Sequence, residues 1–201
     1  MSSTSSKNSI LDADTAAAAA KVAADIIAAS RHDDPERADL LTELATARHF
    51  LRYTLRGLTD EQAAQRTTAS ELCLGGLIKH CAAVERNWAS FIVHGAAAAP
   101  SFSDMTPEDW AKRADQFRML PGETLQGVLA DYEKAAAATD DLVRTADDLG
   151  VEHALPDAPW FPPGVTWSVR RVILHVISET AQHAGHADII RESLDGAKSM
   201  G

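Results

Sequence analysis

The run Ser168-Val-Arg-Arg-Val-Ile-Leu-His175-Val-Ile-Ser-Glu179-Thr-Ala-Gln-His183-Ala-Gly-His186-Ala-Asp-Ile-Ile-Arg-Glu192 decides how the chain is read. Wound as a helix, it brings His175, Glu179, His183 and His186 within an arc of about 80°. Val172 and Ile190 share that arc, so the polar groups look inward. Inward imidazoles and carboxylates need partners, since an unsatisfied buried polar group costs roughly 1–3 kcal/mol. One metal ion would satisfy several of them together. The Glu179/His183 pair also reads as a buried hydrogen bond that sets helix register.

Working outward, Ser168 is the expected N-cap of this helix. Before it, residues 151–167 hold Pro156, Pro159, Pro162 and Pro163 among Trp160, Phe161 and Trp167, a structured loop fit to wall a pocket. Three further helices are expected. The first runs from about Glu36 to Arg56, with Leu40, Leu41, Leu44, Ala47, Leu51 and Leu55 at helical spacing and Gly57 behind it. The second runs from Glu71 to His94, capped by Ser70 and closed by Gly95, with Cys73, Leu77, His80, Val84, Trp88 and Phe91 on one stripe. The third runs from about Glu123 to Leu149, with Leu125, Val128, Leu129, Tyr132, Ala136 and Leu142 inward. Residues 95–122 form a long connection with a short helix near Pro107–Phe117. Ahead of the bundle, residues 1–11 are Ser-rich and expected to be disordered, and an Ala-rich accessory helix covers Thr15–Ala29. No period-2 alternation marks a strand. The expectation is an all-α four-helix bundle over residues 36–201, with residues 1–35 as an extension.

The formal net charge of −10 argues against nucleic-acid or anionic-membrane partners. Nothing reaches the length of apolar run a membrane span needs. Cys73 and Cys81 lie about 12 Å apart along one helix, too far for a disulfide, and reduced thiols fit a cytoplasmic protein.

Glu179 and His183 stand at i, i+4, a spacing that lets two side chains converge on one ion. A third ligand must come from another helix, and His80 is the inward histidine of the second. Two histidines and a carboxylate leave positions open for water or substrate, a catalytic rather than a structural arrangement. Zn²⁺ suits such ligands, and Ni²⁺ or Fe²⁺ would also fit. His186 stands as an alternative to Glu179 or as an acid/base behind the ligands, and His175 orients the carboxylate or simply packs. His32, His49, His94 and His153 are assigned to solvent, Glu85 and Trp88 to packing. Arg170 and Arg171 are read as surface residues, one of them available to an anion at the pocket mouth.

The stretches Leu77-Ile-Lys-His80-Cys-Ala-Ala-Val-Glu85-Arg-Asn-Trp88 and His175…Glu179-Thr-Ala-Gln-His183-Ala-Gly-His186, followed by Leu194-Asp-Gly196, resemble the DinB-like (YfiT-like) superfamily, in particular its mini-circle protein branch. The resemblance covers about residues 36–196. It implies a four-helix bundle that holds a divalent metal through His80, Glu179 and His183. A histidine is commoner in the family at the position of Glu179. The carboxylate matches the branch similar to mycothiol-dependent maleylpyruvate isomerase. Such relatives activate a low-molecular-weight thiol for S-transfer or isomerisation. The resemblance therefore implies a thiol and a small-molecule acceptor as partners, and family habit together with the Ala-rich arm points to a homodimer. His186, beside the ligands, is our candidate for the proton shuttle or hydrogen-bond partner. A metal-dependent hydrolase working through bound water, or a non-catalytic binding bundle, stand as alternatives.

Overall fold

The computed structural model describes residues 20, 23–24, 26–28, 31–98 and 101–199. The Ser-rich start lies outside the described residues. So does much of the Ala-rich segment, of which residues 20, 23–24 and 26–28 are helical. Four long helices build the bundle, joined by two short ones and a hairpin: α1 (Pro35–Tyr53), α2 (Asp60–Ala64), α3 (Leu74–His94), α4 (Pro107–Asp115), α5 (Leu125–Thr145), β1 (Glu152–Ala154), β2 (Thr166–Ser168) and α6 (Val169–Asp195).

The helix boundaries follow local chemistry. Asp34 caps α1 by accepting from the Glu36 amide, with Pro35 in the first turn where its missing N–H costs nothing. Ser168 caps α6 by accepting from the Arg171 amide, as expected, and Gly196 closes it at φ 78°, a conformation cheap only for glycine. The expected ends of the other helices move. Helix α1 stops at Tyr53, and a turn carries the chain to Gly57. Helix α3 begins at Leu74 rather than Glu71. Ser70 does not cap it but takes a hydrogen bond from the Leu72 amide within the preceding turn. Helix α5 starts behind its cap Thr124 and ends at Thr145 rather than Leu149.

The long helices ring the core in the order α1, α6, α3, α5, so α1 and α3 occupy opposite corners. The core has two apolar halves. One gathers Leu51, Leu77, Ile78, Tyr132 and Ile190, and the other gathers Leu44, Phe91, Val143, Val172 and Ile173. Between them runs a buried polar layer of Arg48, Glu85, Thr139 and Thr180. Arg48 crosses the diagonal to Glu85 with a two-pronged contact at 2.9 and 2.6 Å, and reaches Asp140 at 2.7 Å. Burial works against the Arg48 charge, but Glu85 and Asp140 outweigh it and hold the guanidinium more basic than usual. Glu85 is thus an ion-pair partner rather than mere packing. The layer also shifts the buried stripe of α5, which runs through Ala135, Thr139 and Val143 instead of Ala136 and Leu142.

Two features then shape the site. On α3, Gly75 and Gly76 let residues 117–119 lie flat on the helix. A Cβ on Gly76 would meet the Phe117 carbonyl, and one on Gly75 the Met119 thioether, both inside allowed contact distance. Backbone cannot yield as a side chain tip can, so Gly76→Ala is expected to cost about 1–3 kcal/mol, read as a lower Tm in thermal unfolding. Gly75→Ala meets a flexible side chain and should cost less.

The second is a hairpin that the sequence pattern does not announce. Strand β1 pairs antiparallel with β2, placing His153 opposite Trp167. Three residues per strand are too few to show alternation. His153 is not a solvent residue either. Its Nε2 lies 3.1 Å from the Ile92 carbonyl and its ring packs edge-on to Phe91. The hairpin thereby anchors the Pro-rich loop to the end of α3. Among the described residues no helix is long and apolar enough to cross a membrane.

Candidate metal centre and cleft

Helices α3 and α6 face each other along one side of the bundle, and His80, Glu179 and His183 meet there. Each offers one ligand atom, and these atoms all lie within 4.8 Å of one another. His183 Nε2 and a Glu179 oxygen approach at 3.6 Å, just beyond hydrogen-bond distance. His80 and His183 meet edge to face with ring centroids 4.7 Å apart.

The surroundings hold the three residues ready to ligate. Burial pushes the His80 imidazole down to about 4, with the charge of His183 adding to the effect, so it is neutral at pH 7. Glu179 is held below the usual carboxylate range, chiefly by the approach of the His183 ring and against the pull of burial. His80 thus offers a neutral nitrogen and Glu179 an ionised oxygen, the forms a divalent cation requires of such groups. One atom tests the fit. The Nδ1 of His80 is buried without a hydrogen-bond partner, an arrangement that carries a cost unless something beyond the protein completes the site.

Neighbours fix the ring orientations. Phe117 stacks on His80 with centroids 4.2 Å apart, held there by the glycine-lined seat on α3. The Nδ1 of His186 faces the Nδ1 of His183 at 3.4 Å. With one of these nitrogens protonated and the other not, the pair fixes the His183 tautomer and leaves its Nε2 on the Glu179 side. His175 stands 4.0 Å from the other Glu179 oxygen and packs edge-on against Trp88 and Trp167. Burial lowers its pKa as well.

A cleft of about 340 Å³ opens on His80 and Glu179. Trp88 and Phe91 from α3 form one wall, and Trp160 and Phe161 from the Pro-rich loop form the other. The loop thus does what the sequence led us to expect. Trp88 serves the cleft as well as the packing, stacked on Trp167 at 4.9 Å. The stripe of His80, Val84 and Trp88 borders this cleft, while the fully buried face of α3 runs beside it through Leu74, Ile78, Cys81 and Glu85. Three polar residues of the cleft escaped sequence reasoning: Asn87 on α3, Arg113 on α4 and Gln116 just beyond it. Nothing local marks Arg113 and Gln116, because α4 reaches the site only through the return of the long connection. Arg170 and Arg171 are engaged elsewhere. Arg170 pairs with Glu36 across the bundle end, and Arg171 covers the Trp167 ring at 4.5 Å.

Both cysteines are free and buried. Burial, with Glu85 and Glu179 nearby, pushes the Cys81 thiol well up, so it stays protonated and is no nucleophile of its own.

Fold and site together define a helical bundle with a two-histidine, one-carboxylate centre open to an aromatic cleft. The mycothiol-S-transferase family model matches residues 39–196, and the chain belongs to that family. Membership ties it to mycothiol-related chemistry. Among solved structures it is similar to a conserved protein from a locus of Enterococcus faecalis, with a TM-score of 0.57 and 16% identity over 77% of this chain and 94% of that one. At that identity the likeness shows the fold alone. No curated protein matches the chain.

Proposed function

We propose that this protein is a divalent-metal-dependent transferase that joins a low-molecular-weight thiol of the mycothiol type to a small electrophilic acceptor. The observation that carries the reading is the convergence of His80, Glu179 and His183 within 4.8 Å at the base of a cleft. In a family named for mycothiol S-transfer, that site has an evident use. His80, Glu179 and His183 would hold the metal, with zinc the first choice for this donor set and nickel or iron the others. When bound, the ion lowers the pKa of a thiol so that a thiolate is available at neutral pH.

The chain's own residues supply the rest. His186 positions His183 through the Nδ1 contact. His175, neutral on the cleft wall, can take the proton that the thiol sheds. Trp88, Phe91, Trp160 and Phe161 hold the acceptor and exclude water. The thiol sulfur then bonds to the electrophilic carbon, and the leaving group departs with its electron pair. In this reading residues 36–201 act as one cytoplasmic catalytic unit, residues 1–35 are an extension, and two copies pair as a homodimer.

The test is thiol dependence. A chloronitrobenzene electrophile should be consumed with release of chloride only when thiol is added, and chelation should abolish the reaction. Turnover of an ester or amide without any thiol would point instead to a hydrolase acting through bound water. No metal uptake and no thiol-dependent turnover would leave a binding bundle.

A further inference from the structure

The cleft carries an uneven charge. Of the residues that line it, Glu179 is the one carboxylate and Arg113 the one arginine or lysine. Glu179 belongs to the metal site, so Arg113 has no counter-charge within the cleft. On the same short helix Lys112 pairs with Glu108 at 2.8 Å, and Arg118 just beyond pairs with Asp115. Among the described residues no carboxylate pairs with Arg113. Its guanidinium leans toward the Trp160 ring instead, 5.8 Å from the centroid. Its charge is felt at His80, where it adds to the forces that lower the ring's basicity. An arginine held beside an aromatic wall, unpaired and near the reacting end of a cleft, is placed for an anionic ligand.

The remaining lining fixes what that ligand looks like. Trp88, Phe91, Trp160 and Phe161 offer flat apolar surface, and Trp160 is still 54% exposed, as a wall awaiting a partner is. About 340 Å³ suits a small molecule. One guanidinium with the amide of Asn87 beside it matches a planar carboxylate, which takes two parallel N–H donors. A dianionic phosphate would ask for more cationic partners than the cleft offers.

We infer that Arg113 is the specificity-determining residue of the cleft and selects acceptors that are small carboxylic acids with a flat apolar body. The carboxylate meets the guanidinium, the body lies between the Trp88 and Trp160 walls, and the electrophilic carbon is thereby turned toward His80 and Glu179. The inference rests on the proposed transfer reaction for its meaning, but its test does not. It is measured on protein freed of metal by chelation, without thiol, so that no ion can attract the carboxylate in place of Arg113.

The probes are cinnamate and its neutral isostere cinnamamide, titrated by calorimetry. The chelated protein should bind cinnamate about tenfold more tightly than cinnamamide, a difference that shrinks as salt is raised. Arg113→Gln should bring cinnamate down to the affinity of cinnamamide, and Arg113→Lys should keep part of the gap. Equal binding of the two probes by the unsubstituted protein, or a preference for cinnamate that survives in Arg113→Gln, overturns the inference. Since Arg113 is exposed and unpaired, the substitutions leave the fold intact, which circular dichroism checks. No carboxylate preference in the unsubstituted protein, with metal uptake and thiol turnover intact, would sink the selectivity of Arg113 alone. The reverse result would sink the transferase and spare the cleft.

Discussion

His183→Ala strips the protein of its divalent metal and lowers thiol-dependent turnover by about 100-fold or more, an effect at least as large as those that follow loss of groups that merely support metal ligands. His183 is the residue on which the site turns. It is the α6 neighbour of Glu179 at 3.6 Å, the edge partner of His80 and the contact of His186. Its removal leaves His80 and Glu179, one from each helix, with no third donor between them. Elemental analysis of protein purified without chelators checks the metal, and circular dichroism checks that the helices survive. His186→Gln belongs to the same series with a graded result, weaker metal retention by about 10–100-fold with the site still able to load. Unsubstituted protein that carries no metal and takes none up on reconstitution would end the proposal.

Arg48→Met is expected to be the most destabilising single change in the bundle, by about 3–5 kcal/mol. The cost lies less in the lost contact than in what remains. Glu85 is 0% exposed, and without Arg48 its carboxylate is a buried charge with no partner to offset its desolvation. A pair of this kind need not stabilise the fold relative to apolar residues of similar size. Arg48→Met combined with Glu85→Leu should therefore recover most of the loss. Chemical denaturation of the two single variants and the double variant measures this directly. A double variant no more stable than Arg48→Met would show that the loss comes from packing in the polar layer rather than from the stranded charge.

The two experiments probe neighbouring parts of one design. The polar layer that carries Arg48 and Glu85 divides the core at the level where α6 turns Thr180 inward, next to Glu179. Arg48 there ties α1 to α3 through Glu85 and to α5 through Asp140. Phe117, seated on the bare backbone of Gly76, holds His80 from the other side.

What was legible in the sequence is what depends on residues close together along the chain. The spacing of leucines sets each amphipathic face, and Ser168 marks the start of α6. The i, i+4 step puts Glu179 and His183 on one side of that helix wherever it sits. The Gly95 end of α3 and a proline-rich loop were legible for the same reason, since each is a property of a few consecutive residues.

Tertiary structure decided the rest. His80 joins the α6 pair only because α3 and α6 pack side by side, with about a hundred residues of chain between them. Arg113 and Gln116 enter the cleft because the connection after α3 folds back along it, a path that the two glycines of α3 permit but do not announce. Arg48 finds Glu85 37 positions away across the diagonal of the bundle. Contacts of this range depend on which faces the helices bury against one another. No periodicity records that, because it follows from the shape of the whole core rather than from any one helix.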